Sequence, residues 1–337
     1  MSLENFQNAI QFANRNDLKI TILHGEQGMS EHYLEMLNGL EYSVITPVSC
    51  LKAYINQIYI VDYEGSDEVF NTISCSTLQN VILRLESEYF SDLARLIQKY
   101  STRFQRINLF VKDIKTLSPF KLNEYSEILR TITELTYENV ILGKNPELNF
   151  LTDRMFLGEM NNCDAGIKHI TVAPNGRFYL CPGFYYDDDK QSVGSYETGI
   201  EIKGRNILKL ENAPICNICD AFQCKRCIYL NRQMTFELNT PSHEQCVMSH
   251  YERNETKRMV DNLHKITRFS HLSHISHIGY LDPFEIVKSN PAIKRGWQMN
   301  NHGNSKDISS LTDRELLNRI FDIQIEMKKY LMKSNPD

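Results

Sequence analysis

Seven of the nine cysteines in this chain are Cys163, Cys181, Cys216, Cys219, Cys224, Cys227 and Cys246. Four of these share the run "CNICDAFQCKRC", a C-x2-C-x4-C-x2-C spacing from Cys216 to Cys227. Upstream, Cys163, Gly176 and Cys181 read C-x12-G-x4-C, and Cys246 stands alone downstream. Soft thiolates in reach of one another suit zinc or an iron–sulfur cluster. Seven thiols exceed one tetrahedral site, so two sites are the economical reading. A single structural zinc knot built from the two C-x2-C pairs is the alternative. Only Asp220 to Gln223 separate those pairs, whereas paired zinc knuckles usually enclose about 12–20 residues. The opening "MSLENFQNAIQFANRNDLK" lacks the basic-then-apolar pattern of an export signal, so the expected compartment is a reducing cytoplasm. Clustered thiols there bind metal more often than they form disulfides. Cys50 and Cys75 lie among apolar neighbours and read as buried thiols.

These thiols need elements to position them. The stretch "HITVAPNGRFYLCPG" (169–183) reads as a β-hairpin turning at "PNG", with Cys181 closing its second strand. "SHEQC" (242–246) opens a long helix running to about residue 269, and Ser242 with Gln245 makes a capping-box pattern. The tail "LTDRELLNRIFDIQIEMKKYLMK" reads as a further amphipathic helix. Thr312 and Glu315 form its capping box, and Leu316, Ile320, Ile323 and Met327 its apolar face.

Upstream of the thiols, about 150 residues alternate between strand-like and helix-like periods. "LKITILH" (18–24), "YSVIT" (42–46), "IYIVDY" (58–63) and "INLFVKD" (107–113) read as strands. "NVILG" (139–143) is a further candidate strand. "SEHYLEMLNGL" reads as a short helix ended by Gly39, "TLQNVILRLESEYFSDLARLIQKY" (77–100) as a long one, and "KLNEYSEILRTITEL" as a third. Alternation of this kind predicts an α/β region with a parallel sheet of βα units, open or part of a barrel. No G-x-G-x-x-G or P-loop pattern follows any strand, so a nucleotide cradle has no support.

Bulk properties narrow the class. A chain of 337 residues with 42% hydrophobic and 23% charged residues is globular and long enough to bury a core without staples. A net charge of −5 and a pI of about 6.1 argue against a nucleic-acid footprint. No apolar run approaches the ~20 residues of a transmembrane helix, so no membrane partner is expected.

The cysteine pattern resembles the SPASM domain, the auxiliary iron–sulfur module of many radical-SAM peptide-modifying enzymes. Its usual middle run is C-x2-C-x5-C-x3-C, and this chain is one residue shorter in two gaps. The stretches "ITVAPNGRFYLCPGFYYDD", "APICNICDAFQCKRCIYLNR" and "NTPSHEQCVMSHYERN" are more similar still to the CXXX repeat peptide maturases, from about residue 162 to 254. The preceding α/β segment resembles that group loosely, as a reduced radical-SAM-type barrel. The resemblance implies two 4Fe–4S clusters with interleaved ligands. Cys216, Cys219, Cys224 and Cys246 would hold one, and Cys163, Cys181 and Cys227 the other. Some SPASM proteins complete the second cluster with a cysteine six residues before the first; here that position is Leu157, with Glu159 and Asn162 as nearby substitutes. The resemblance also implies a cysteine-repeat precursor peptide as partner.

One expected part is missing. A radical-SAM enzyme carries C-x3-C-x2-C after its first strand, and here "HGEQG" (24–28) stands in that place. S-adenosylmethionine is therefore not expected as a cofactor, and whether the chain is an enzyme on its own stays open. One reading is a component of a ribosomal-peptide modification system, its clusters relaying electrons or binding a peptide thiolate. The other is a non-catalytic peptide-binding scaffold with structural zinc or iron–sulfur sites, serving a partner enzyme or electron donor.

Weaker signals complete the reading. His264, His271, His274 and His277 read as a polar surface, the last three along a helix, with metal binding as the sharper option. "FYYDDDK" (184–190) reads as a solvated loop. Lys225 and Arg226 would offset the charge of a thiolate cluster. Lys257, Arg258, Lys265 and Arg268 read as a solvated basic face, with docking of an acidic leader peptide as the sharper option. The expected organisation is an α/β partial-barrel region at 1–155, a SPASM-like cysteine-rich domain at 156–255 and a C-terminal helical region at 256–337.

Overall fold

The computed structural model describes residues 1–50, 52–73 and 79–285. Cys75 and the tail from residue 286, with its expected amphipathic helix, lie outside the described residues. Residues 1–283 form one compact unit.

Helix α1 (Leu3–Arg15), to which the sequence reading assigns nothing, starts the chain. The Ser2 side chain caps it by accepting from the Asn5 N–H, with Glu4 in the first turn and Arg15 in the last, both favourable to the helix dipole. Six parallel strands follow: β1 (Ile20–Leu23), β2 (Tyr42–Pro47), β3 (Gln57–Asp62), β4 (Asn80–Leu85), β5 (Arg106–Val111) and β6 (Glu147–Leu148). Their order in the sheet is their order in the chain, β1 to β6. A sheet that grows in one direction is the wall of a partial barrel, since doubly wound sheets reverse direction at a switch point. Helices α2 (Glu31–Met36), α3 (Phe90–Tyr100) and α4 (Pro119–Ile141) are the connections after β1, β4 and β5. The expected reduced barrel is thus present as a six-stranded parallel sheet.

Alternation drives the burial. In β3 and β4 every second residue, Tyr59 and Val61, then Val81, Leu83 and Leu85, enters the main core. That core also takes Leu93, Leu96 and Ile97 of α3 and Tyr125, Leu129 and Ile132 of α4. Each fully buried Leu or Ile there is worth about 1.5–3 kcal/mol relative to exposure.

Two expectations are corrected here. The helix expected over 77–100 is strand β4 followed by the shorter α3; Thr77 and Leu78 lie outside the described residues. "NVILRL" alternates inward at Val81, Leu83 and Leu85, but its apolar partners on the other face, such as Ile82, disguise a period of two as a continuous run. The strand expected at 139–143 is the last turn of α4, where Val140 packs into the core and Gly143 follows at φ +79°. The sixth strand lies just beyond it.

After β6 come α5 (Asp153–Phe156), the expected hairpin as β7 (Thr171–Val172) and β8 (Phe178–Tyr179), then α6 (Pro182–Asp187). A second small pair, β9 (Gly194–Ser195) and β10 (Gly199–Ile200), leads to the cysteine run, α7 (Ile228–Thr235) and α8 (His243–Leu263). The expected boundary at 255/256 falls inside α8. This helix is buried along Val247, Met259, Val260 and Leu263, which join the barrel core. It ends at Leu263 rather than near 269, and His271, His274 and His277 are exposed, outside any helix. No helix among the described residues is long and apolar enough to cross a membrane.

Candidate metal centre

The cysteine run has little regular structure, and buried side chains pin it in place. Asp220 follows Cys219 and takes a bidentate pair from Arg253 on α8, whose side chain is 0% exposed. Arg154 of α5 donates to the Asp220 carbonyl and lies over the Phe222 ring. Burial alone would raise the Asp220 carboxyl, but Arg253 and Arg154 hold it below its ordinary range. On the other side the main chain of 161–163 lies along the run: Asn161 N–H donates to Phe222 O and Cys163 N–H to Lys225 O.

Cys216, Cys219, Cys224 and Cys246 line one small hollow. Met160, Arg226, Gln245 and His250 complete much of its wall. Cys246 arrives from the first turns of α8, where Ser242 Oγ caps the helix by accepting from the Gln245 N–H. The Gln245 side chain does not close the expected capping box. Its amide instead reaches toward the Cys224 sulfur at 3.9 Å.

The other three thiols gather beside the hairpin. Cys163 and Cys181 pack against a second apolar cluster of Ala173, Tyr179, Phe184 and Ile228. Cys181 is the N-cap of α6 and Cys227 the N-cap of α7, and the Cys227 sulfur accepts from the Leu230 N–H at 3.4 Å. Gly176 makes the hairpin turn at φ +77°, where a side chain would meet Asn5 Oδ1 at 2.9 Å.

Electrostatics divides the thiols in the same way. Burial pushes Cys216 up to about 12, with Cys224 and Cys219 adding to the shift. Burial likewise raises Cys219 to about 11, against the pull of the Ala221 N–H, and raises Cys246 further, with Cys224, Cys216 and Cys219 among its neighbours. Cys227 is pushed up to about 11 by burial, and the thiols that add to it are Cys163 and Cys181. Thiols of this kind are protonated at neutral pH unless a cation replaces the protons.

The donor set fits an iron–sulfur cluster. Four thiols line one hollow, a donor set that zinc also takes. Main-chain donors already serve the sulfurs: Ala221 N–H to Cys219 and Arg226 N–H to Cys224, both at 3.5 Å. Hydrogen bonds to sulfur are among the groups that set the potential of such clusters. His250, kept neutral by burial, places Nδ1 at 2.8 Å from the Cys246 carbonyl. That bond assigns the proton to Nδ1 and turns Nε2 toward the Cys219 sulfur at 3.7 Å.

Other expected residues have different roles. The Asn162 amide is engaged at both ends, accepting from Arg226 Nε and donating to Asp164, so it bridges rather than ligates. Glu159 is exposed. Asp187 receives the side-chain amides of Gln191 and Gln233, and Asp187 to Asp189 are exposed. The basic residues of α8 and beyond are occupied internally. Lys257 pairs with Asp261, Arg258 with Glu255 and Glu134, and Arg268 donates to the carbonyls that end α4. Arg154, Asp220 and Arg253 escaped the sequence reading, because the Asp220–Arg253 pair joins residues 33 apart with no local pattern between them.

No protein-family model matches the chain, and no curated protein matches it. Solved structures do. Two structures of anSMEcpe, an anaerobic sulfatase-maturating enzyme of radical-SAM type with a SPASM domain, share its fold. One holds AdoMet and the Kp18Cys peptide, with a TM-score of 0.50; the other holds AdoMet and the Cp18Cys peptide, with a TM-score of 0.51. Each is 13% identical over 79% of this chain and over 91% and 92% of its own length. The likeness is one of fold.

Proposed function

We propose that this chain is a cytoplasmic component of a ribosomal-peptide modification system that acts on a CXXX-repeat precursor peptide and holds two 4Fe–4S clusters. Cys216, Cys219, Cys224 and Cys246 hold one. Cys163, Cys181 and Cys227 hold the other, with its fourth position open. The partial barrel (1–155) and the cysteine-rich region (156–255) are then its two working parts, with 256–337 as a helical support. The observation that carries this reading is the division of the thiols: four line one hollow, and the other three collect beside the hairpin. The fold shared with a peptide-bound maturating enzyme supports the substrate class. AdoMet is not carried over, because no C-x3-C-x2-C run follows β1.

When bound, such clusters supply electron transfer and, at an iron with three protein thiolates, a position for a substrate thiolate. The chain's own residues orient them. Asp220 and Arg253 fix the Cys219 loop, the Leu230 N–H at the start of α7 donates to the Cys227 sulfur, and Met160, Ala213 and Phe222 form an apolar cluster around Cys216 and Cys219.

The test is anaerobic purification with iron, acid-labile sulfide and zinc measured per chain. Two four-iron clusters give about eight irons with matching sulfide. A cysteine-repeat peptide then perturbs the electronic spectrum of the loaded chain, and a Cys→Ser version of the peptide does not. One or two zinc ions without sulfide overturns the cluster reading and leaves a zinc-stabilised peptide scaffold.

A further inference from the structure

Arg226 forms part of the wall of the four-thiol hollow and is 1% exposed. Its neighbour Lys225 is exposed, so the two cations of the cysteine run differ in kind. The guanidinium of Arg226 meets three oxygens. Nε donates to Asn162 Oδ1 and Nη1 to Asn239 Oδ1, each at 2.8 Å, and Nη2 donates to the Leu208 carbonyl. All three hydrogen-bond acceptors are neutral; the nearest carboxylate acting on the guanidinium, Asp164, is one step removed, behind Asn162.

The other deeply buried guanidiniums of this region are arranged differently. Arg253 at 0% and Arg154 at 5% exposure both have Asp220. A buried charge without a counter-charge is strongly unfavourable, and proteins pair or hydrate such groups. Arg226 is nonetheless held inward with care. Its φ of +40° lies in the left-handed region that residues with a side chain rarely adopt, and three acceptors fix its head group. An ordered cation, facing a hollow ringed by thiols, is arranged for a negative charge in that hollow.

We propose that Arg226 is the internal counter-cation of the group held by Cys216, Cys219, Cys224 and Cys246, a positioning residue that sets the charge balance of that site. The proposal rests on the cluster reading above. Four thiolates around a four-iron core carry net negative charge, and the guanidinium opposes it across the shared wall. Reduction of the core adds one more negative charge, so the guanidinium favours the reduced state and raises the potential.

The test compares R226K and R226M in the full chain, with and without metal. In the loaded protein, R226M shifts the midpoint potential of one cluster to a more negative value or loses the iron of that site, about half the total. R226K keeps both iron and potential near those of the parent. In the metal-free protein, R226M loses the three hydrogen bonds to Asn162, Asn239 and Leu208 but loses less melting temperature than the loaded protein does, because only the loaded site holds the negative charge that Arg226 opposes.

Full iron content with an unchanged potential in R226M overturns the proposal. So does an R226M that fails to fold, or that loses as much melting temperature without metal as with it, since either outcome makes Arg226 only a structural tie between Asn162, Asn239 and Leu208. A parent chain holding zinc and no sulfide ends the iron–sulfur reading alone. Arg226 is then judged by zinc retention, which R226K keeps and R226M loses if the residue balances charge.

Discussion

Cys224 and Cys227 stand three residues apart on one loop and serve different groups of thiols. Cys224 lines the hollow with Cys216, Cys219 and Cys246, while the neighbours of Cys227 are Cys163 and Cys181. This division makes the two sites separable by mutation. Cys163→Ala and Cys216→Ala should each remove about four of about eight irons, and together nearly all. Iron and sulfide assays on the three variants check this. Loss of all the iron from Cys163→Ala alone would mean that the seven thiols form one cooperative unit.

Asp220→Asn should destabilise the metal-free chain by about 3 kcal/mol at neutral pH, because it leaves the wholly buried Arg253 without its carboxylate. Burial pushes the Asp220 carboxyl up, and the two guanidiniums more than reverse this, holding it below its ordinary 3.8. Its contribution is therefore complete above 3.8 and is lost as the pH falls through the lower folded value. Urea melts of parent and variant should converge in acid. A constant difference down to pH 2 would assign the effect to packing.

Glu252 on α8 runs the other way. Burial raises its carboxyl to about 7, although the Tyr125 hydroxyl and the Gln223 amide both donate to it and pull it down. A carboxyl that binds its proton more tightly when folded adds stability below its ordinary 4.5 and loses it as the pH rises to about 7. The parent should be more stable at pH 5 than at pH 8, by about 3 kcal/mol at most from this group. Glu252→Gln should lack that slope. Parallel pH profiles for the two proteins would show that the carboxyl does not change its proton affinity on folding.

Gly176→Ala should cost about 1–2 kcal/mol from the left-handed backbone alone. The added methyl also meets Asn5 Oδ1 at 2.9 Å, and Asn5 is the residue whose amide ties α1 to the Pro174 carbonyl of the hairpin. Faster amide exchange in α1, measured beside the thermal midpoint, separates this tie from a purely local turn effect. Unchanged exchange in α1 would confine the damage to the turn.

The candidate ligands of this chain were more legible than several of the elements that carry them. Cysteine spacing names the thiols directly, because a ligand set must appear as residue types at short intervals. The β7–β8 hairpin was equally plain, since Gly176 and the alternation around it have one local solution. Strand β4 was not plain, because apolar residues on both faces hide its period. The end of α4 was misread for a related reason: "NVI" suits a strand, and only the packing of Val140 into the core keeps it helical. Asp220 and Arg253 could not be paired from sequence at all, since their relation exists only once α8 lies beside the cysteine run.

The sheet order has a consequence for biosynthesis. Each strand from β1 to β6 pairs with the strand made just before it, so the wall can grow as the chain leaves the ribosome. The thiols are on a different schedule. Cys163 waits for Cys227, and Cys216 waits for Cys246 on α8, so one set is complete only once residue 227 is made and the other only after the start of that helix. Until then the early cysteines are exposed nucleophiles on a half-made protein, and whatever fills the two sites arrives late, onto a wall already standing.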